Sequence, residues 1–200
     1  MPLLRRRDLL QRSASALLTA ALATTGLSTL AQAQTSGGGH PGIELTQLST
    51  ERGDDGLLLS YAVRLELSKD VEDALYKGVA VVFVAEAELF KSRWYWYDKP
   101  KAQVARRWRL AYQPLTRHWR LSFDGLSRSY NSLSEALGVM RRVSQWRISD
   151  NVSGDDDHYV IFSFRLDTDE LPRPMQIGLG GQNDWNLAVQ RRLNVVVPGR

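Results

Sequence analysis

Residues 78–123 contain four of the six tryptophans and no long polar interruption. Within this stretch, apolar side chains recur at odd positions from Val79 to Leu89 and at even positions from Ala102 to Tyr112. A period of two is typical of a β-strand with one buried face. The stretch therefore predicts a three-stranded antiparallel meander at the centre of a mainly β protein.

The first strand of this meander also carries information on its opposite face. Val82 and Val84 are apolar, whereas Glu86 and Glu88 are acidic. A strand with this pattern is covered on both faces at one end and open to water at the other. We therefore expect another part of the chain to lie over Val82 and Val84.

Further strand patterns flank the meander on both sides. Alternating apolar residues occupy 57–67 and 158–166, an edge strand is predicted near 43–48, a strand begins near Trp146 and Ile148, and a last strand is predicted over 186–197. Ser68 and the capping box that starts at Ser132 predict two short helices. Residues 171–174 are predicted as a rigid extended connection because two of the four are prolines. The fold class is an antiparallel β-sandwich, immunoglobulin-like or similar, with a central meander and one or two short helices.

The turns of the meander suggest how its strands pair. Residues 113–116 contain proline where a type I turn favours it. Closing this turn by pairing Gln113 with Thr116 gives two apolar cross-strand pairs, Leu110–Trp119 and Trp108–Leu121. The preceding turn, closed by pairing Lys99 with Ala102, would place Trp94 opposite Arg107.

The N-terminus has the pattern of an export signal. Three arginines at positions 5–7 precede a mildly apolar stretch, and Ala31-Gln32-Ala33 is a signal peptidase motif. We predict a signal peptide over 1–33 with cleavage between Ala33 and Gln34, a flexible leader over 34–42 and a single domain over 43–200. Arg6-Arg7-Asp8-Leu9-Leu10 fits the twin-arginine pattern, and an ordinary secretory signal is the alternative. The mature protein is predicted to be periplasmic or secreted, without stable membrane insertion.

Charge and cysteine content exclude several functional classes. The formal net charge is +4, but the predicted signal holds four arginines and one aspartate, so the mature chain is almost neutral. Nucleic-acid binding is therefore not expected. The chain has no cysteine, which removes disulfides, thiol nucleophiles and thiolate metal sites.

A search for catalytic motifs finds none. The chain lacks a Gly-x-Ser-x-Gly motif, and His118 and His158 have no metal-type spacing. The acidic runs near 155–157 and 167–170 lack the spacing of a calcium loop and are interpreted as solvated turns. We therefore expect no catalytic residue, no metal and no cofactor. The alternative is a carboxylate-dependent hydrolase using Asp98 or Asp124.

The meander also suggests a binding surface. If the strand continues unbroken past Arg93, its outer face carries Trp94 and Trp96. The neighbouring outer positions then hold the other candidate ligand-binding residues, Arg107, Arg109 and Arg120, together with His118. An aromatic and basic surface suits cation–π stacking and anion or sugar contacts. The alternative is a bulge near residues 91–93 that turns both tryptophans into the core.

Several segments of the chain resemble a known family. The likeness rests on Gly78-Val79, Phe83, Arg93-Trp94-Tyr95-Trp96, Asp98, Arg109-Leu110-Ala111-Tyr112, Leu115-Thr116-Arg117, Trp119, Leu121, residues 133–137, Leu166-Asp167, Leu171-Pro172, Pro174 and Asp184-Trp185. These residues resemble the exported proteobacterial family called domain of unknown function 4390, or "proline-rich signal peptide protein". The family has no established activity, so the resemblance implies export and transfers no catalytic residue. Its association with sensor-kinase genes suggests an accessory role.

Three hypotheses for function follow. The first is a non-catalytic exported module that binds an envelope protein or an anionic or glycan ligand through the outer face of the meander. The second is a structural or regulatory partner of an envelope sensor kinase, bound through an edge strand. The third is the carboxylate-dependent hydrolase.

Overall fold

In the described part of the chain, nine strands form two antiparallel sheets that pack face to face. The computed structural model describes residues 42–53, 56–92, 99–150, 152, 157–178 and 183–195, all within the unit that spans 38–200. The smaller sheet has the order β1-β2-β7 and contains β1 (Gly42–Gly53), β2 (Gly56–Glu66) and β7 (Arg142–Ser149). The larger sheet has the order β6-β5-β4-β3-β8-β9 and contains β3 (Val81–Lys91), β4 (Lys99–Gln113), β5 (His118–Phe123), β6 (Leu126–Tyr130), β8 (His158–Leu166) and β9 (Ala188–Asn194).

The predicted fold class, a mainly β chain with two antiparallel sheets, is confirmed. The chain is mainly β, and β3, β4 and β5 form the expected antiparallel meander. β6 extends the meander to four strands. It follows a tight turn in which Asp124 and Gly125 both have positive φ, 49° and 75°, the backbone that a two-residue hairpin turn requires.

Three short α-helices accompany the sheets among the residues with a described structure. Both predicted helices are present, α1 (Lys69–Tyr76) capped by Ser68 and α2 (Leu133–Arg141) capped by Ser132. In each, the serine hydroxyl accepts a hydrogen bond from a backbone N–H of the first turn, which would otherwise have no partner. No helix among the described residues is long and apolar enough to cross a bilayer.

The third helix, α3 (Arg173–Gly178), corrects the extended connection that was predicted over 171–174. The N–H of Met175 already donates to the carbonyl of Pro172 at 2.8 Å. Pro172 and Pro174 lie before and within the first turn, where backbone N–H groups have no partner inside the helix. Proline therefore costs little there and does not prevent the helix from starting.

The core lies between the facing surfaces of the two sheets. The odd face of β3 is buried as predicted, and Phe83 is fully buried. From the smaller sheet, Tyr61 places its ring 4.7 Å from Phe162 and 6.1 Å from Phe164. β7 contacts β3 and β4, β1 contacts β9, and α2 packs against β2, β5, β6 and β7. The smaller sheet and α2 together cover the inner face of the larger sheet.

The predicted pairing of β4 with β5 is wrong by two residues. Gln113 pairs with His118, and the apolar pairs are Leu110–Leu121 and Trp108–Phe123. The loop is longer than a two-residue turn because the N–H of Arg117, at φ 55°, donates to the carbonyl of Gln113 at 2.7 Å. A shift of two residues keeps every side chain on its predicted face, so the inward residues are unchanged.

The predicted pairing of β3 with β4 is also wrong. β3 ends at Lys91, which pairs with Lys99, and Arg107 pairs with Val84 rather than with Trp94. Ala102 pairs with Leu89, and the register shifts at the next position, where Phe90 pairs with Pro100. An extra residue in β4 at this point is a β-bulge, which apolar matching alone does not reveal.

Burial of Tyr61 predicts a specific loss of stability at alkaline pH. Burial raises the pKa of its phenol, and the positive charge of Arg106 opposes this effect. Above about pH 10 the unfolded chain ionises this tyrosine while the folded chain keeps it neutral, so stability falls as the pH rises. Tyr61→Phe should lower stability at pH 7 by about 1 kcal/mol, because the hydroxyl loses its 3.3 Å hydrogen bond to the Met140 carbonyl.

Between pH 9 and pH 11, the free energy of unfolding of Tyr61→Phe should fall less than that of the wild type, as measured by urea unfolding. Tyr76→Phe is the matched control because Tyr76 is 53% exposed. Its pH profile should follow that of the wild type. Parallel profiles for Tyr61→Phe and the wild type would contradict the assignment.

Candidate functional site

The outer face of β4 and β5 carries the basic residues that the sequence singled out. Arg107, Arg109, His118 and Arg120 are all exposed. Arg109 pairs with Ser122, and Arg120 pairs with Ala111, so the two arginines are diagonal neighbours on one face. Neither guanidinium has a hydrogen bond or ion pair to another described residue. They form a small basic surface next to the hairpin turn.

Arg107 has a structural partner. Its guanidinium lies 3.1 Å from one carboxylate oxygen of Asp167, and the guanidinium of Arg165 lies 3.3 Å from the other. The Asp167 side chain is only 7% exposed, and its backbone N–H donates to the Val82 carbonyl at 2.7 Å. Val84 pairs with both arginines and is buried beneath this cluster. The ion pairs therefore cover the apolar end of β3, as the sequence predicted.

The predicted surface combines two tryptophans with three arginines, and of these only the arginines lie in the described part of the chain. Trp94, Trp96 and Asp98 lie outside the described residues. The segment that contains them joins the end of β3 to Lys99, at the start of β4. Arg107 pairs with Val84 of β3, so the predicted register that set it opposite Trp94 is wrong.

A different aromatic and basic site lies on the inner side of β4. Arg106 pairs with the fully buried Ala85, which places its side chain on the face that points between the sheets. The guanidinium carbon lies 5.6 Å from the centre of the Phe123 ring and 5.1 Å from the centre of the Trp146 ring. These residues line an open cleft of about 610 Å³ together with Val104, Ala105, Arg107 and Asp124.

Arg106 is unusual because it is half-buried without an acidic partner. Its guanidinium has no hydrogen bond or ion pair to any residue that the structure describes. Burial lowers the pKa of its guanidinium, and the nearby Tyr61 opposes this shift. An arginine nevertheless stays charged in proteins. The cleft therefore holds a permanent positive charge that is partly removed from water and lies within cation–π distance of two rings.

The cleft opens at the lateral edge of the sandwich. β5 pairs only with residues 108–113 of β4, so residues 99–107 pair with β3 alone among the described strands. On the opposite sheet, β7 is an edge strand that pairs only with β2 within the described chain. Trp146 comes from β7 and Arg106 from β4. Two sheet edges thus border the cleft that contains Arg106.

The sequence pattern itself indicates that Arg106 is unusual. Its position falls in the even, inward series of β4, between Val104 and Trp108. A charged residue at an inward position of a regular alternation is costly unless it has a partner or a function. The apolar residues of the series predict the strand and its inner face, but they do not indicate a role for Arg106.

The other titratable residues of interest are dispersed. His118 has its Nδ1 atom 2.5 Å from the Thr116 carbonyl oxygen at the hairpin turn, whereas His158 is buried on β8. No group of three or more metal-ligating side chains comes together in the part of the chain that the structure describes. Asp124, one of the two carboxylates considered for hydrolysis, is exposed and lines the Arg106 cleft.

Comparison with known proteins identifies the family. Residues 40–193 match the profile of the family described as Domain of unknown function (DUF4390). The chain belongs to this family. No curated protein and no solved structure matches the chain. The DUF4390 match covers every described strand except the last residue of β9. It also includes all the residues of the Arg106 cleft.

The Asp167 cluster leads to a prediction about stability. Asp167→Ala should lower the free energy of unfolding by about 2 kcal/mol, because two charge-assisted contacts are lost at a buried position. Urea unfolding followed by tryptophan fluorescence measures the change. Glu170→Ala is the matched control, since Glu170 is half-exposed and 4.0 Å from Arg107. The control should change stability by less than about 0.5 kcal/mol. Equal effects of the two substitutions would contradict a specific role for Asp167.

Proposed function

We propose that this protein is an exported, non-catalytic binding module, in which Arg106 binds an anionic group of its partner. One observation carries the proposal: a half-buried guanidinium lies between Phe123 and Trp146 without an acidic partner among the described residues. Moving a charged group out of water costs free energy unless another group compensates for it. An incoming carboxylate or phosphate would supply that compensation.

The two rings favour this role through their geometry. An aromatic ring attracts a guanidinium placed over its face. A cation–π contact uses none of the N–H groups of the guanidinium as hydrogen-bond donors, so these groups stay available for other partners. These donors match a carboxylate or a phosphate in a bidentate arrangement. Phe123 and Trp146 therefore hold Arg106 in position while its donors remain available.

The N-terminal sequence supports export as the cellular context. Residues 1–33 combine a basic start, an apolar stretch and the Ala31-Gln32-Ala33 motif. A cysteine-free domain is unaffected by the oxidising conditions outside the cytoplasm. The partner would accordingly be an envelope protein or another anionic component of the envelope.

A second binding surface is proposed on the outer face of the sheet. Arg109 and Arg120 are exposed there without acidic partners among the described residues. Trp94, Trp96 and Arg107 were predicted as parts of the same surface. Arg107 is engaged by Asp167, so Arg109 and Arg120 are the residues that favour this surface.

Peptide binding by an Arg106 variant tests the main proposal. The probe is a fluorescent decapeptide in which Glu and Thr alternate. Wild-type protein should bind it, and Arg106→Met should bind at least tenfold more weakly, because a charge-assisted contact contributes about 1.5–3 kcal/mol. Fluorescence anisotropy at low salt measures the affinity.

Arg192→Met is the matched control. Arg192 also lies over an aromatic ring, that of Tyr159 at 3.5 Å, but on β9 and away from the cleft. Arg192→Met also removes one positive charge, and it should change the affinity for the peptide by less than twofold. Equal binding by Arg106→Met and wild type, or no binding by wild type, would overturn the proposal.

Stability provides an independent check on Arg106. If the arginine is retained for binding, Arg106→Met should leave stability unchanged or raise it by about 1 kcal/mol, because a desolvated charge is replaced by an apolar side chain. Urea unfolding of the variant and wild type measures this difference. A loss of more than about 2 kcal/mol would show that Arg106 serves the fold instead.

A further inference from the structure

We propose that an extended acidic segment of a partner protein adds as a strand to the open edge of β4, along residues 102–107, and that one of its carboxylates binds Arg106. This inference rests on the proposed function and specifies the form of the partner. Its additional evidence is that β4 is much longer than β5.

The open edge results from that difference in length. β4 has 15 residues, whereas β5 has six and pairs only from Trp108 onward. Beyond that point the chain turns into β6 through Asp124 and Gly125. Every second residue of an unpaired edge directs its N–H and C=O away from the sheet. A partner strand would occupy the line that β5 leaves vacant and restore these hydrogen bonds.

The start of this edge carries two backbone features that proteins use to block strand addition. Pro100 has no N–H group, and the register shift in β4 produces a bulge next to it. Residues 102–107 contain no proline and pair with β3 in a continuous register. Arg106 points between the sheets, so it opposes the addition of a strand that would bury its charge without a partner and favours one that supplies a carboxylate.

Charge indicates that the added segment is acidic. Arg106 has no acidic partner among the described residues, and Lys101 is exposed at the same edge. Of the residues that the structure describes, Asp124 is the one acidic residue that lines the cleft. Side chains of an added strand alternate between the two faces of the sheet. The residue opposite Arg106 would therefore carry the carboxylate, and residues two positions apart would lie over the half-buried Val104 and Ala102.

Backbone methylation of the probe separates strand addition from simple charge attraction. Two versions of the Glu–Thr decapeptide are compared, one N-methylated at every Glu and the other at every Thr. An added strand directs the N–H groups of only one of these two sets toward β4. One methylated peptide should therefore lose at least tenfold in affinity, while the other binds within threefold of the unmethylated peptide.

Hydrogen exchange locates the contact on the protein. Saturation with the unmethylated peptide should slow amide exchange in fragments that cover residues 102–107, and this protection should be absent with Arg106→Met at the same peptide concentration. Fragments from β9, whose outer edge is also unpaired among the described strands, serve as the internal control. Their exchange should not change.

The outcomes distinguish the two proposals. If both methylated peptides bind as tightly as the parent and Arg106→Met still weakens binding, Arg106 binds anions but strand addition is wrong. If the parent peptide does not bind, or binds independently of Arg106, the proposed function itself is wrong. Protection confined to another edge strand would also overturn the inference. A dimer that forms without peptide and is lost in Arg106→Met would identify a second copy of the chain as the occupant and contradict an acidic partner.

Discussion

The aromatic contact between the two sheets is the interaction on which the rest of the structure depends. Tyr61 of the smaller sheet meets Phe162 and Phe164 of the larger one, and Phe83 stacks beside Phe164. Each such side chain contributes about 1.5–3 kcal/mol through burial. The chain has no cysteine, so no disulfide supplements this packing. The position of Arg106 follows from the same arrangement, because the smaller sheet ends at β7 and leaves the side chain at the border of the core.

The two sheets differ in size, and that difference determines which residues are exposed. Three strands cannot cover six, so α2 packs over the inner face at β5 and β6. Neither element closes the side of the sandwich where β4 extends beyond β5. On the outer face, the cluster of Arg107, Asp167 and Arg165 covers one end of β3. Arginine therefore differs at adjacent positions of β4: Arg107 is held by Asp167, and Arg106 is the residue that we propose binds an anionic group.

The sequence predicted the faces of the strands well and their partners poorly. The period of two assigned the inward residues of β3 and β4 correctly because burial acts on each strand independently of its neighbours. Register depends on turn geometry, which a positive φ at Arg117 and a bulge near Lys101 decide locally. The dipeptide Asp124-Gly125 is typical of a two-residue hairpin turn, and it indicates the hairpin of β5 and β6. Arg106 was missed because its meaning depends on Phe123 and Trp146, which only the folded chain brings near it.

The pairing of β2 with β7 has a consequence for how the chain acquires its fold. β3 to β6 form hairpins between neighbouring segments. In contrast, Leu59 pairs with Trp146, so this contact forms only when the long segment between the two residues closes into a loop. Closing so long a loop costs entropy before any packing repays it, and such contacts form late. A chain that crosses the membrane unfolded would therefore expose the apolar side of the meander until its C-terminal half arrives. A chain that folds before it crosses would never present that surface to the envelope.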